Sequence, residues 1–363
     1  MRRLGLTIAA AVAASLAAAV PAAAAAPRAF YGVVSQASLT PSDYQKMGDG
    51  RVGTVRFLVN WAGIDLGPGA GDEQWGALDQ VFLSAAEQGV KPLPYVAGTP
   101  GWVVRDLDGR NCGDCTAFAP RSPAALEAWR DFLRLIVTRY GPGGTLWQED
   151  PGGPYGPARI WQIHNEQNSP TFYQPRPDVK GYAKLLKSAE RAIHNQDPQA
   201  KIVLGGMFGT PFGATGTGIS AWNFLTKLYK VKGIEKTFDG VALHPYAGSL
   251  NLVRRQVELS IRRIRAAGDG NVDLWITELG WASDGPDGNR LVVGKQGQAK
   301  RLRGAFKLFE QRRRAWNVRA VTWYAWRDIP GSAICSWCPY SGLLTKSGAA
   351  KPAWAAFREL TPG

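Results

Sequence analysis

Two short runs of this 363-residue chain carry groups able to do chemistry: Trp161-Gln162-Ile163-His164-Asn165-Glu166-Gln167-Asn168 and Leu274-Trp275-Ile276-Thr277-Glu278-Leu279-Gly280-Trp281. In each, a carboxyl follows apolar, β-prone residues, where burial is costly unless the group is paired or used. Two such carboxyls brought together suit cleavage of a glycosidic bond. One protonates the leaving oxygen while the other attacks the anomeric carbon through an oxocarbenium-like transition state. Asn-Glu alone arises often by chance, so the weight rests on both runs ending strands that meet.

The elements that must position them follow from hydrophobic period. Strands are expected at residues 30–34, 54–59, 91–96, 159–164, 201–205, 240–244, 274–277 and 320–324, with helices between. One helix has Ser122 as its cap, Pro123 first, an apolar face of Leu126, Trp129, Leu133, Ile136 and Tyr140, and Gly141 at its end. Tyr182, Leu185, Leu186, Ala189 and Ile193 form another stripe. Eight βα units predict an α/β fold, a (β/α)8 TIM barrel, whose chemistry sits at the C-terminal ends of its strands. The fourth strand then brings Glu166 and the seventh Glu278 to one mouth. Glycine- and proline-rich stretches at 67–71, 141–157 and 205–218 read as loops within a single domain spanning residues 27–363.

These runs, with His244-Pro245-Tyr246, resemble the retaining glycoside hydrolases of clan A, the 4/7 superfamily, and look most similar to family 39 and its cellulase-like neighbours. The resemblance implies Glu166 as acid/base, Glu278 as nucleophile and Asn165 as the amide that bonds the sugar 2-hydroxyl. It further implies Arg56 as the cation that keeps the nucleophile ionised and Tyr246 as its hydroxyl partner. His244 is expected to line the sugar site, and Trp326 to be the aromatic platform after strand eight, with Trp323 or Tyr324 as alternatives. His164 either lines the cleft or is structural, and His194 is expected to be exposed. A carbohydrate substrate and no cofactor follow, with sugar and linkage open.

Composition agrees with a folded, exported protein. Arg2 and Arg3 precede an apolar run and the small residues Ala22 to Ala26, so residues 1–26 read as a secretory signal and the mature chain as extracellular, free of the membrane and monomeric. The net charge of +14 leaves acidic polysaccharide open, but Arg254, Arg255, Arg262, Arg263, Arg265, Arg312, Arg313 and Arg314 fall on amphipathic helices. They read as solvated outer faces, and no nucleic-acid partner is expected. The pairs Cys112/Cys115 and Cys335/Cys338 admit a four-thiolate zinc site, redox centres or disulfides. Export favours two local disulfides. No catalytic metal is expected, since the three histidines sit on separate elements without ligand spacing. The rival readings are an inactive carbohydrate-binding barrel and an exported zinc or disulfide-exchange protein.

Overall fold

The computed structural model describes residues 25–71, 73–210, 218–332 and 335–362; all of the expected signal segment except Ala25 and Ala26 lies outside them. The strands are β1 (Tyr31–Val34), β2 (Thr54–Asn60), β3 (Lys91–Ala97), β4 (Ile160–Ile163), β5 (Lys201–Leu204), β6 (Gly240–His244), β7 (Asp273–Leu279) and β8 (Val318–Tyr324). Successive strands pair in parallel, β8 pairs with β1, and β5 meets β6 at Val203 and Gly240, so the sheet closes into a (β/α)8 barrel. A two-residue strand, Met207–Phe208, lies beside Leu243 and His244 of β6 and extends the wall above β5.

The strands fall close to their expected places. The main difference is at β7, which begins at Asp273 and runs through Leu279, so Glu278 lies within the strand and not beyond it. Leu279 still pairs with Trp323 of β8, after a register shift that follows Ile276.

Helices follow each strand and cover the outside. In the helix Pro123–Tyr140, the Ser122 hydroxyl accepts from the Ala125 amide, and Trp129, Leu133, Ile136 and Tyr140 are buried against the barrel. The helix Val179–Gln196 buries Tyr182, Leu185, Leu186, Ala189 and Ile193 in the same way. Arg255, Arg262, Arg263, Arg265, Arg312 and Arg314 are exposed on outer helices or at their ends. The loop at 141–157 contains a short helix, Thr145–Glu149, and residues 211–217 of the expected loop at 205–218 lie outside the described residues.

The apolar interior has separate parts. The largest lies between sheet and helices. A small cluster of Leu93, Val203, Ala242, Trp275 and Ala320, one from each of five strands, is separate from it. One step further along their strands come Tyr95, His244, Thr277 and Thr322, each two residues after a member of this cluster and therefore on the same face. The cluster is the floor inside the barrel, and the polar groups stand on it. Gly32 of β1 is required at this level, because a Cβ there would meet the Thr322 methyl at 2.6 Å.

Cys112 is disulfide-bonded to Cys115 and Cys335 to Cys338, with Cα–Cα separations of 5.2 and 5.5 Å. All four sulfurs are thus paired, which removes the four-thiolate zinc alternative. No helix of the described residues is long and apolar enough to cross a membrane.

Trp275 is the largest side chain of the floor. Replacing it by Ala is expected to cost about 3–5 kcal/mol of unfolding free energy by chemical denaturation. A loss below about 1 kcal/mol would mean that the floor contributes little.

Candidate active site

Regular strands point consecutive side chains to opposite faces, so two adjacent residues face one cavity only where the strand is broken. At the end of β4 the break is in the backbone: His164 and Glu166 adopt left-handed conformations with φ of 72° and 44°. Such residues are uncommon outside glycine and carry a cost of order 1–3 kcal/mol each. The result is that Asn165 and Glu166 both line the cavity. The turn is held by the His164 amide donating to Val96 O and the Glu166 amide donating to Gly206 O, both at 2.9 Å. Gly206 has no substitute here, since a Cβ would collide with the His244 imidazole. At β7 the register shift has the same effect, turning both the Thr277 hydroxyl and the Glu278 carboxylate inward.

Arg56, in the first half of β2, has no exposed surface and lies beneath the two carboxylates. Its Nε donates to Gln162 Oε1, Nη1 to Glu278 Oε1 and Nη2 to Asn165 Oδ1, each at 2.7 Å. Its guanidinium carbon sits 4.0 Å from the Tyr95 ring centroid, a cation–π contact. A guanidinium can only donate, so it fixes the orientation of both amides. The Asn165 oxygen must face Arg56, which leaves the Asn165 NH2 for the cavity.

The two carboxyls differ in their partners. Glu278 accepts from Arg56 and, at Oε2, from the Tyr246 hydroxyl at 2.8 Å. Glu166 Oε1 lies 2.8 Å from His244 Nδ1, and His244 Nε2 lies 3.0 Å from Thr277 Oγ1. One oxygen of each carboxyl and a nitrogen of His244 lie within 4.8 Å of one another.

Burial pushes both carboxyl pKa values up. Glu166 is raised well above the usual range, by burial and then by the Glu278 charge, with only Arg56 opposing. For Glu278 burial is opposed by the Arg56 charge and by hydrogen bonds from Tyr246 and Arg56. Glu278, with the arginine charge and two donors opposing its burial, is thus raised less than Glu166. Burial and the Arg56 charge hold His244 well below the usual histidine range, so it is neutral. Tyr246 is pushed the other way, by burial and the Glu278 charge, and remains a donor.

Above this group lies a cavity of about 400 Å³ that Glu166 and Glu278 help to line. Of the site residues expected from sequence, Asn165 and Tyr246 also line it, whereas Arg56 and His244 stand behind the carboxyls without exposed surface. Trp326 is not a platform. It is fully buried on the outside of the barrel, packs edge-on to Trp354 and donates its indole N–H to Asp43 Oδ1 at 2.9 Å. The chain leaves the sheet after Tyr324, and the Trp326 amide bonds Val34 O as it passes over β1. Trp323 is also buried, its N–H bonded to Ser341 O. The aromatic residues of its walls are Tyr95, Phe172, Phe208, Tyr246, Tyr324 and Trp337. His164 is structural, its Nδ1 lying 3.0 Å from Asn165 O and its pKa lowered to about 4 by burial. His194 is partly covered, with both ring nitrogens bonded, to Glu190 and to Ala200 O.

No protein-family model and no curated protein sequence matches the chain. Solved structures do. A family 39 glycoside hydrolase from the gut symbiont Bacteroides cellulosilyticus superposes on 93% of this chain and 64% of its own, with a TM-score of 0.66 and 18% identity. A family 39 β-xylosidase from Caulobacter crescentus matches 94% of this chain and 73% of its own, with a TM-score of 0.63 and 18% identity. A glucosidase from Croceicoccus marinus gives 93% and 68%, a TM-score of 0.67 and 12% identity. The barrel is thus similar to those of clan A glycoside hydrolases, family 39 among them. The chain spans about two-thirds of the length of the proteins it resembles.

The asymmetry of the carboxyls is measurable. In a 13C titration of glutamate side chains, Glu278 is expected to ionise at lower pH than Glu166. Tyr246→Phe removes a hydrogen bond to the charged form of Glu278, so the Glu278 midpoint should move up. An unchanged midpoint would show that the tyrosine hydroxyl does not stabilise that carboxylate.

Proposed function

We propose that this chain is a glycoside hydrolase that cleaves O-glycosidic bonds of neutral sugars with retention of configuration, using Glu166 as acid/base and Glu278 as nucleophile. The observation that carries this reading is the pair of buried carboxyls, with oxygens within 4.8 Å, of which only one is held by an arginine and a tyrosine hydroxyl. Retaining enzymes hold their two carboxyl groups ~5–5.5 Å apart and inverting enzymes ~6.5–9.5 Å, and the nearness of these oxygens favours the former. The clan A likeness of the fold supports the same reading.

The geometry suits a double displacement. Protonated Glu166 gives its proton to the glycosidic oxygen as that C–O bond breaks, and a Glu278 oxygen forms the new bond to the anomeric carbon. The ester so formed is neutral, so the charge that had raised the Glu166 pKa is gone. Glu166, now a carboxylate, takes a proton from water as the water oxygen displaces Glu278. Neutral His244 orients Glu166 without competing for its proton. The free NH2 of Asn165 faces the place of the sugar 2-hydroxyl, a bond that strengthens as positive charge develops at the neighbouring carbon.

The described residues that line the cavity include no lysine or arginine, and the masked internal residues of the chain, 72, 211–217 and 333–334, are not basic either. A uronate in this site would face two glutamates without a countercharge, which favours neutral sugars. The exposed arginines Arg255, Arg262, Arg263, Arg265, Arg312 and Arg314 lie instead on outer helices or at their ends. Export completes the proposal: residues 1–26 act as a removable signal, residues 27–363 form the mature domain, and the two disulfides fit an oxidising compartment.

Glu278→Ala is expected to lose turnover on every glycoside, whatever the leaving group. Glu166→Ala should lose ~10²–10⁴-fold on substrates with poor leaving groups and much less on activated aryl glycosides. Azide should then restore the Glu166 variant with retained configuration and give an inverted glycosyl azide from the Glu278 variant. In a panel of aryl glycosides, neutral sugars should be hydrolysed and uronides not. Normal turnover by either alanine variant on natural glycosides, or a preference for uronides, would contradict these assignments.

A further inference from the structure

The second disulfide stands in the wall of the cavity, where Cys335, Trp337 and Cys338 all contribute. This loop follows β8, and among its described residues up to Ser341 one 3-10 turn, Cys338–Tyr340, is the regular element. Trp337 nevertheless sits in a defined place. Its ring centroid lies 5.1 Å from that of Tyr246 and 5.8 Å from that of Tyr324, both at steep interplanar angles. These three rings and Cys338 form an apolar cluster apart from the main core. Tyr246 is the residue whose hydroxyl bonds Glu278, so one edge of the Trp337 wall touches the nucleophile's own support.

A large side chain on an irregular loop loses much conformational freedom when fixed. Two devices fix this one. Behind it, the Lys351 ammonium, only 4% exposed, bonds both Asp328 oxygens, Ser283 Oγ and Tyr340 O, tying the far end of the turn to the barrel. In front, the Cys335–Cys338 bond closes a four-residue ring around Ser336 and Trp337, and the Cys338 amide lies 3.0 Å from Cys335 Sγ. The position expected to serve as platform, Trp326, faces away from the cavity. Trp337 is the only tryptophan among the described lining residues, and sugar rings present apolar C–H faces that pack on aromatic rings.

We propose that Trp337, clamped against Tyr246 and Tyr324 by the Cys335–Cys338 disulfide, is the stacking wall for the substrate's sugar ring, and that opening this disulfide releases the wall and weakens substrate binding. The proposal rests on the hydrolase reading above and adds a specificity residue and a structural switch to it. The Cys112–Cys115 disulfide, which does not line the cavity, takes no part. Reduction by dithiothreitol transfers two electrons and two protons to the disulfide, leaving two thiols, while the reagent closes to its own cyclic disulfide.

The test uses the full mature chain and an aryl glycoside that wild type hydrolyses. Trp337→Ala should raise KM about tenfold with kcat changed far less, and Trp337→Phe should recover much of the loss. The double variant Cys335→Ser/Cys338→Ser should raise KM in the same direction. Dithiothreitol added to already folded Cys112→Ser/Cys115→Ser protein, which keeps only the second disulfide, should reproduce that rise, and removal of the reductant with reoxidation should reverse it. Thermal melts of each variant separate lost binding from lost fold, and the reductant arm needs no substitution in the wall. Unchanged KM in Trp337→Ala, or in the reduced Cys112→Ser/Cys115→Ser protein, would overturn the proposal while leaving the hydrolase reading intact. Wild type that hydrolyses no glycoside would overturn both.

Discussion

Arg56 is a full positive charge with no exposed surface, and the site is organised by the need to satisfy it. A buried guanidinium left unpaired would cost several kcal/mol, and removing one partner of a buried pair is strongly destabilising. Here it draws one acceptor from Gln162 on β4, one from Asn165 just beyond it and one from Glu278 on β7, with the Tyr95 ring of β3 beneath. Four strands are thereby fixed relative to one another at the height where the carboxyls stand. The same contact makes the two glutamates unlike, because Arg56 pairs with Glu278 directly and reaches Glu166 only at a distance.

The barrel is built in levels to support this charge. An apolar floor including Trp275 and Leu93 keeps water from below, a polar level of Gln162, Thr277 and His244 supplies hydrogen bonds, and the carboxyls open upward to an aromatic-walled cavity. At the level of the chemistry local regularity is given up. The left-handed residues at 164 and 166 and the register shift in β7 each turn two consecutive side chains inward. Such strain is expected where a site over-determines its backbone, and the rest of the barrel is regular enough to hold it.

The parts of this arrangement that repeat were legible in the sequence. Alternating period revealed eight strands, and Glu166 and Glu278 drew notice because each carboxyl ends an apolar run. Gln162 was legible in principle, since alternation from Ile160 points it inward, but nothing in its own run announces a buried arginine as partner. The inward turn of both Thr277 and Glu278 was not legible, because a register shift depends on how β7 meets β8. Trp326 shows the limit most clearly. It lies two residues past Tyr324 and on strand parity should face the same way, yet the chain has left the sheet by then and Asp43 of the helix Pro41–Asp49 takes its N–H. Likewise the Cys335–Cys338 spacing suggested a disulfide, while its place in the cavity wall depends on contacts with Lys351 and Tyr246 that are distant in sequence.

The central claim, that Glu278 becomes covalently bonded to sugar while Glu166 handles the proton, can be tested without knowing the natural substrate. A 2-fluoro substituent slows both steps by destabilising the oxocarbenium-like transition state, and an activated leaving group restores the first step, so the glycosyl-enzyme accumulates. Wild-type protein treated with a panel of 2-deoxy-2-fluoro glycosides bearing dinitrophenolate leaving groups would be followed by intact mass and then by peptide mapping. One glycosyl adduct per chain is expected, located on Glu278 and lost slowly with return of activity. An adduct on Glu166, or hydrolysis of the parent sugars with no adduct on either glutamate, would contradict it.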